Sequence, residues 1–195
     1  MKITCVKGSP RVNGNSSSLA DYFLKNFEDP ENEIDVFNLN QLDYRGCQGC
    51  QRCHNGSKRC VIDDDLQEVL ESVRKSDLLV LASGVYYRDT TSQVKGFIDR
   101  TYSYYVPDFV TNPNPSRLEP GKRFVMILAQ GHPDEDVFDD IFPKYASFFV
   151  ESHAFKESHL IRACGVLNDG DIDGRKDVLK QADDIAKEIL KKEGN

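Results

Sequence analysis

Short apolar runs alternate along the chain with longer stretches in which apolar residues recur at helical spacing. The runs predict strands at about 2–7, 34–39, 77–83, 123–129 and 158–164. Between them the period predicts helices. The first covers about 17–27 with Leu19, Phe23, Leu24 and Phe27 on one face, and Pro30 lies just beyond its end. A second starts near Asp64, where Leu66, Val69, Leu70 and Val73 repeat, a third spans about 92–104, and a fourth lies within 135–152. The last spans about 174–192 with Val178, Ala182, Ile185, Ala186 and Ile189 facing inward. Strands alternating with helices in this way are the pattern of an α/β domain built on a parallel sheet.

Two stretches break the pattern, 44–60 and 107–121, the second carrying Pro107, Pro113, Pro115 and Pro120. Both read as long loops, which in compact domains are functional or disordered. No internal repeat, low-complexity tract or linker divides the chain, so 1–195 is expected to be a single domain with a cysteine-bearing loop at about 44–61.

Composition and charge narrow the class. With 25 basic and 32 acidic side chains the formal net charge is −7, and the sequence pI is about 5.1. No basic block is present to displace phosphate counterions, which argues against a duplex nucleic-acid partner. Small anionic ligands stay open, because backbone amides bind them without net charge. The start of the chain lacks the apolar core of a signal peptide, and the longest apolar run, Leu78 to Ala82, falls far short of the roughly 20 residues of a membrane helix. The expectation is a soluble cytoplasmic protein without a membrane partner.

The six cysteines are unevenly spread. Cys5 and Cys164 stand alone in predicted strands, where each reads as a small buried hydrophobe. Cys47, Cys50, Cys53 and Cys60 form C-x2-C-x2-C-x6-C, a spacing in which three thiolates wrap one face of a cuboid cluster and a fourth closes the site, as in [4Fe–4S] ligation. Structural zinc more often uses two separated C-x2-C pairs, and redox-active or vestigial thiols without metal are a third reading. Gly46, Gly49 and Gly56 keep this backbone pliable. The following acidic run, Asp63 to Asp65, reads as the cap of the second helix, set against its dipole.

The first strand runs straight into Gly8-Ser9-Pro10-Arg11-Val12-Asn13-Gly14-Asn15-Ser16-Ser17-Ser18 and then into a helix. In an open α/β sheet this is where a ligand binds, and hydroxyls, Gly, Asn and free helix amides suit a phosphate monoester. Neither a Walker loop nor G-x-G-x-x-G is present. Cys5 and Arg11 satisfy the C-x5-R pattern of small tyrosine phosphatases, but Cys5 falls inside the strand instead of opening the loop. A solvated turn with a serine N-cap is the plainer reading. After the third strand come Ser83, Gly84, Val85, Tyr86 and Tyr87, in which adjacent tyrosines at a strand end either edge a planar ring or divide between core and surface.

Taken together, GSPRVNGNSSSLA, C-x-G-C-x-x-C followed by CVIDDDL, and SGVYYRDTTSQVKGFIDRTYSYY resemble the NADPH-dependent FMN reductase superfamily of flavodoxin-like proteins, most specifically its iron–sulfur flavoprotein branch. The resemblance covers roughly the first 105 residues well and the remainder by fold pattern. It implies a flavodoxin-like three-layer fold whose five-stranded parallel sheet runs in 2-1-3-4-5 order, with FMN at the switch between strands one and three. On that basis Ser9, Arg11, Asn13, Asn15, Ser16, Ser17 and Ser18 hold the FMN phosphate, and Ser83, Gly84, Val85, Tyr86 and Tyr87 border the isoalloxazine. The family commonly has Pro where this chain has Gly84. Gln130 and Gly131, after strand four, reach the pyrimidine side, and His132 is either a flavin donor or a solvated loop residue; His54, His153 and His159 carry no motif.

The implied function is an FMN-dependent oxidoreductase with NAD(P)H or reduced ferredoxin as donor and a flavin, quinone or one-electron carrier as acceptor. FMN beside a [4Fe–4S] cluster at Cys47, Cys50, Cys53 and Cys60 links two-electron to one-electron partners, and no side-chain acid or base is required. Two alternatives remain: a non-enzymatic FMN and iron–sulfur electron carrier, and a zinc-stabilised flavodoxin-like binding module. The resemblance also implies a homodimer or homotetramer, with Tyr102, Tyr104, Tyr105 and Val106 either in the interface or covering their own core.

Overall fold

A computed structural model describes residues 1–193. Five strands, β1 (Lys2–Lys7), β2 (Glu33–Asn38), β3 (Leu78–Gly84), β4 (Arg123–Gln130) and β5 (Glu157–Cys164), lie within a residue of the predicted positions. They pair in parallel in the order β2-β1-β3-β4-β5. Every residue of β3 and β4 is buried, as expected of central parallel strands covered on both faces, whereas the edge strand β2 is only partly covered.

The helices are α1 (Asn15–Leu24), α2 (Leu66–Lys75), α3 (Ser92–Arg100), α4 (Ile141–Ser147) and α5 (Lys176–Glu193). One face of the sheet, including Cys5, Val80 and Ile127, packs against Leu19 and Phe23 of α1 and Val178, Ala182 and Ile189 of α5. The other, including Leu79, Leu81 and Met126, packs against Val69 and Val73 of α2, Phe97 of α3 and Tyr145 of α4. The result is the three-layer flavodoxin-like arrangement.

Helix ends depart from the periodicity for local reasons. The first helix starts two residues early because Gly14, extended at φ −65° and ψ 153°, serves as its N-cap, and it ends by tightening into a 3₁₀ turn over Lys25–Phe27. The third likewise tightens over Thr101–Tyr104. In the fourth, the left-handed Phe138 (φ 74°) keeps the preceding segment out of helical conformation, and Pro143 sits in the first turn, where no amide donor is needed. The chain 107–121 contains no helix or strand, in keeping with its four prolines. Tyr104 and Tyr105 are buried in the chain's own core, which leaves Tyr102 and Val106 as the partly exposed members of the expected patch. Cys5 is fully buried, but Cys164, at the end of β5, is only half-buried beside Arg162 and Arg175, so it is not the core filler its strand position suggested.

Candidate functional site

Strand order reverses at β1, which has β2 on one side and β3 on the other, and a cleft of about 370 Å³ opens beyond the carboxyl ends of the strands there. Ser9, Arg11, Asn15 and Ser16 form one wall, Gly84, Val85 and Tyr86 another, and Ala129, Gly131, Val166 and Leu167 the rest. Eight residues singled out in three separate loops are thus brought together. The strand exits are pinned by backbone bonds: the Gly8 amide donates to Ala82 (2.8 Å), Val85 to Ala129 (2.8 Å) and Val166 to Gln130 (3.0 Å).

The start of α1 suits an anion. No side chain caps it, and its first bond closes from the Ser18 amide to the Gly14 carbonyl, leaving the amides of Asn15, Ser16 and Ser17 without intrahelical acceptors. Two glycines make the cradle: a Cβ on Gly8 would lie 2.1 Å from Val94 Cγ2, and one on Gly14 2.5 Å from Ser9 Oγ. Gly84 has the same logic, since a Cβ there would lie 2.6 Å from the Tyr86 ring that folds back over the strand end. The glycine in place of the family's common proline therefore makes room for Tyr86. A cradle with free amides, hydroxyls and an arginine fits an FMN phosphate, and the cleft between Gly84, Tyr86 and Gly131 fits its flavin.

The other predicted residues lie outside the cleft wall. Asn13 and Tyr87 are exposed, Ser17 is buried in α1, and the Ser18 hydroxyl donates to Asn13 O (3.4 Å). Ser83 is buried and braces the next loop: its hydroxyl donates to Gly84 O (2.8 Å) and accepts from the Thr91 amide (3.1 Å). Gln130 is also buried, and its Nε2 donates to the carbonyls of His132, Asp134 and Val137, shaping the loop after β4. His132 Nδ1 accepts from the Asp134 amide. Asn15 lines the cleft, but its side chain is engaged: Nδ2 donates to Asn168 O (2.9 Å) and Oδ1 accepts from the Ile172 amide (3.1 Å). Arg11 pairs with Asp169 (2.8 Å) on the same loop.

Three contributors were not foreseen. Val166 and Leu167 enter because β5 ends at the left-handed Gly165, whose turn brings the following loop over the cleft; a glycine after the last strand was the available signal. Thr91 caps α3, accepting from the Val94 amide, and donates to Gly8 O (2.6 Å), which ties the loop after β1 to that helix. The phosphatase reading is disfavoured, since Cys5 lies inside β1 and burial pushes its thiol up to about 12.

A second site lies at the far end of α3. Cys47, Cys50, Cys53 and Cys60 line one hollow together with Ile62, Arg100, Tyr102 and Ser103. The chain reaches this shape through left-handed turns at Gly49 (φ 63°), Gln51 (φ 58°), Gly56 (φ 122°) and Lys58 (φ 59°), with a wide helical turn over Cys53–Ser57. Cys53 is buried and Cys60 half-buried, while Cys47 and Cys50 are exposed, and the hollow they line is only about 20 Å³. All six cysteines are free thiols. Burial raises the Cys53 thiol, and its three sulfur neighbours add to the shift. The Gly49 amide donates to Cys47 Sγ at 3.5 Å.

A tetrahedral zinc with bonds of about 2.3 Å needs sulfurs about 3.8 Å apart. Among the described residues the group of metal-ligating atoms gathered within 4.8 Å is Glu157, His159 and Glu188, not the thiols. Cys47, Cys50, Cys53 and Cys60 line one hollow, so four thiols are the donors present there for a metal or a cluster.

The acidic run beside the cysteines does more than cap a helix. Asp64 Oδ1 accepts from the Leu66 amide (3.2 Å), but both its oxygens also take the Arg100 guanidinium (2.8 and 3.1 Å) and Oδ2 accepts from the Arg45 amide (3.1 Å). Burial alone would raise the Asp64 carboxyl; Arg100 and these amides outweigh it and hold the group below its ordinary range.

A parallel doubly wound sheet with an anion cradle at its switch point defines the flavodoxin-like class. Residues 1–131 match NADPH-dependent FMN reductase, and the chain belongs to that family. It is 38% identical over 104 residues to an iron–sulfur flavoprotein of Archaeoglobus fulgidus, covering 53% of this chain and 47% of that protein. An iron–sulfur flavoprotein of Methanosarcina thermophila is 32% identical over 101 residues, 52% of each chain. The chain thus spans about half the length of the curated relatives it matches. The fold is similar to an FMN-dependent NADH-azoreductase of Bacillus anthracis solved with FMN (TM-score 0.72, 16% identity, 97% of this chain and 99% of that one). It is also similar to an NAD(P)H:quinone oxidoreductase of Methanothermobacter marburgensis (TM-score 0.71, 18% identity, 97% of each). No helix among the described residues is long and apolar enough to cross a membrane.

Proposed function

We propose that the chain is an FMN-dependent oxidoreductase of the iron–sulfur flavoprotein kind, working as one flavin-binding unit with its cysteine loop as a second redox site. The carrying observation is the convergence of Ser9, Arg11, Asn15, Ser16, Gly84, Val85, Tyr86 and Gly131 on one cleft at the switch point. FMN bound there supplies both two-electron and one-electron chemistry. The chain's part is to bind and orient it. The amides at the start of α1, with Ser9, Ser16 and Arg11, would hold the phosphate, and Gly84, Val85 and Tyr86 would border the ring.

Cys47, Cys50, Cys53 and Cys60 hold a [4Fe–4S] cluster, the reading favoured by their common hollow and by their C-x2-C-x2-C-x6-C spacing along the chain. NAD(P)H or a reduced ferredoxin is the donor, and a flavin, quinone or one-electron carrier the acceptor. A homodimer or homotetramer in the cytoplasm is the proposed working form.

The test is an absorption spectrum of anaerobically prepared protein with flavin, iron and sulfide assays, followed by addition of NADH or NADPH. Flavin bands with a broad shoulder near ~400 nm and on the order of four irons per chain are expected. Replacing any one of the four cysteines by Ser is expected to release iron and leave FMN bound. Protein without flavin would overturn the cleft assignment; zinc without iron would overturn the cluster. Bound flavin that neither pyridine nucleotide reduces would leave an electron carrier served by protein partners.

A further inference from the structure

The last residue of α3, Arg100, is 1% exposed, and burying a guanidinium is costly unless its charge and donors are satisfied. Four of its five donor directions are spent on the two chain segments that flank the cysteine loop. Nη1 donates to Arg45 O (2.8 Å) and Asp64 Oδ2 (2.8 Å), and Nη2 to Ile62 O (3.2 Å) and Asp64 Oδ1 (3.1 Å). Arg45 stands two residues before Cys47, and Ile62 and Asp64 stand two and four residues after Cys60. One side chain therefore closes the loop at both ends. The fifth donor, Nε–H, is buried with no nitrogen or oxygen partner among the described residues, the Cys60 thiol lies beside the guanidinium, and Arg100 is itself part of the wall of the hollow that the four cysteines line. A forked pair with a carboxylate fixes the guanidinium plane, so the remaining donor has a set direction.

We propose that Arg100 tunes the redox group held by Cys47, Cys50, Cys53 and Cys60, with Asp64 orienting it, its Nε–H serving as a donor to sulfur and its charge favouring the reduced state. The inference rests on the cluster reading above. Hydrogen bonds to sulfur and local charge are main determinants of iron–sulfur potentials. A cation stabilises the more negative, reduced form, so its removal makes the site harder to reduce. Asp64 acts with the opposite sign.

The test is a potentiometric titration of anaerobically prepared protein, with the reduced cluster followed by electron paramagnetic resonance. FMN content and thermal melting serve as controls for the fold. Arg100→Gln is expected to shift the reduced-to-oxidised ratio at fixed potential at least about tenfold toward oxidised, which is about 59 mV for a one-electron couple. Arg100→Lys, which keeps the charge but not the fork, should shift it less in the same direction, and Asp64→Asn should shift it toward reduced. If Arg100→Gln releases iron, the other two variants decide: shifts in the stated directions support the role, and wild-type potentials in both overturn it. A wild-type chain that holds no iron would overturn the cluster reading and this inference with it. A wild-type cluster whose potential none of the variants moves would overturn the Arg100 role alone.

Discussion

Asn15 sits in the wall of the cleft at the switch point with 2% of its surface exposed, and both ends of its amide are engaged by the loop after β5. It works as a strut between the phosphate loop and residues 168–172, not as a free donor to a ligand. Asn15→Ala strips the Asn168 carbonyl and the Ile172 amide of buried partners at once, and is expected to cost about 1–3 kcal/mol of stability, measured by urea unfolding. Ser83 and Gln130 belong to the same class of residue: polar, buried and near the ligand, with hydrogen bonds that shape loops. Arg100 is the charged counterpart at the second site, where a buried fork leaves one donor over.

At the scale of elements, α3 connects the two sites. Its N-cap, Thr91, holds Gly8 of the loop after β1, and its final residue, Arg100, forms part of the wall of the cysteine hollow. Nine residues at 1.5 Å each put the two ends about 12–14 Å apart. Its register against the sheet is set by Val94 and Phe97, both fully buried. Phe97→Ala opens a cavity under the middle of the helix and is expected to cost about 3–5 kcal/mol by urea unfolding. Loosening this helix is expected to weaken FMN retention and iron retention together, read by dialysis and metal assay, whereas a change confined to one end would weaken only one of them.

For the whole molecule, one source of pH-dependent stability is a buried histidine outside both sites, His153. His153 is fully buried among Tyr105, Phe148 and Phe149, with Nδ1 bonded to Ser116 Oγ at 3.0 Å. Burial, helped by the charge of Arg74, lowers its imidazolium from 6.5 to about 4. Between those values the unfolded chain binds a proton that the folded chain refuses, so stability present above about pH 6.5 is lost as pH falls toward about 4, by up to about 3 kcal/mol. A series of urea unfolding curves across that window should show the loss, and His153→Phe should remove this part of the slope.

The division between sequence and structure follows the reach of each interaction. Strand and helix positions were legible because apolar spacing at periods of 2 and 3.6 is a local property, and all five strands fell within a residue of expectation. So were the cysteine set and the three cleft loops, because each is a contiguous motif. The direction of each polar side chain was not, since it depends on partners far along the chain: Asn15 on Asn168 and Ile172, Ser83 on Thr91, Arg100 on Asp64 thirty-six residues away. By itself the sequence determined which elements exist and which loops carry chemistry. Only the tertiary structure decided which buried polar groups face a ligand and which are spent on the frame, because a buried donor must find its acceptor wherever the fold places one.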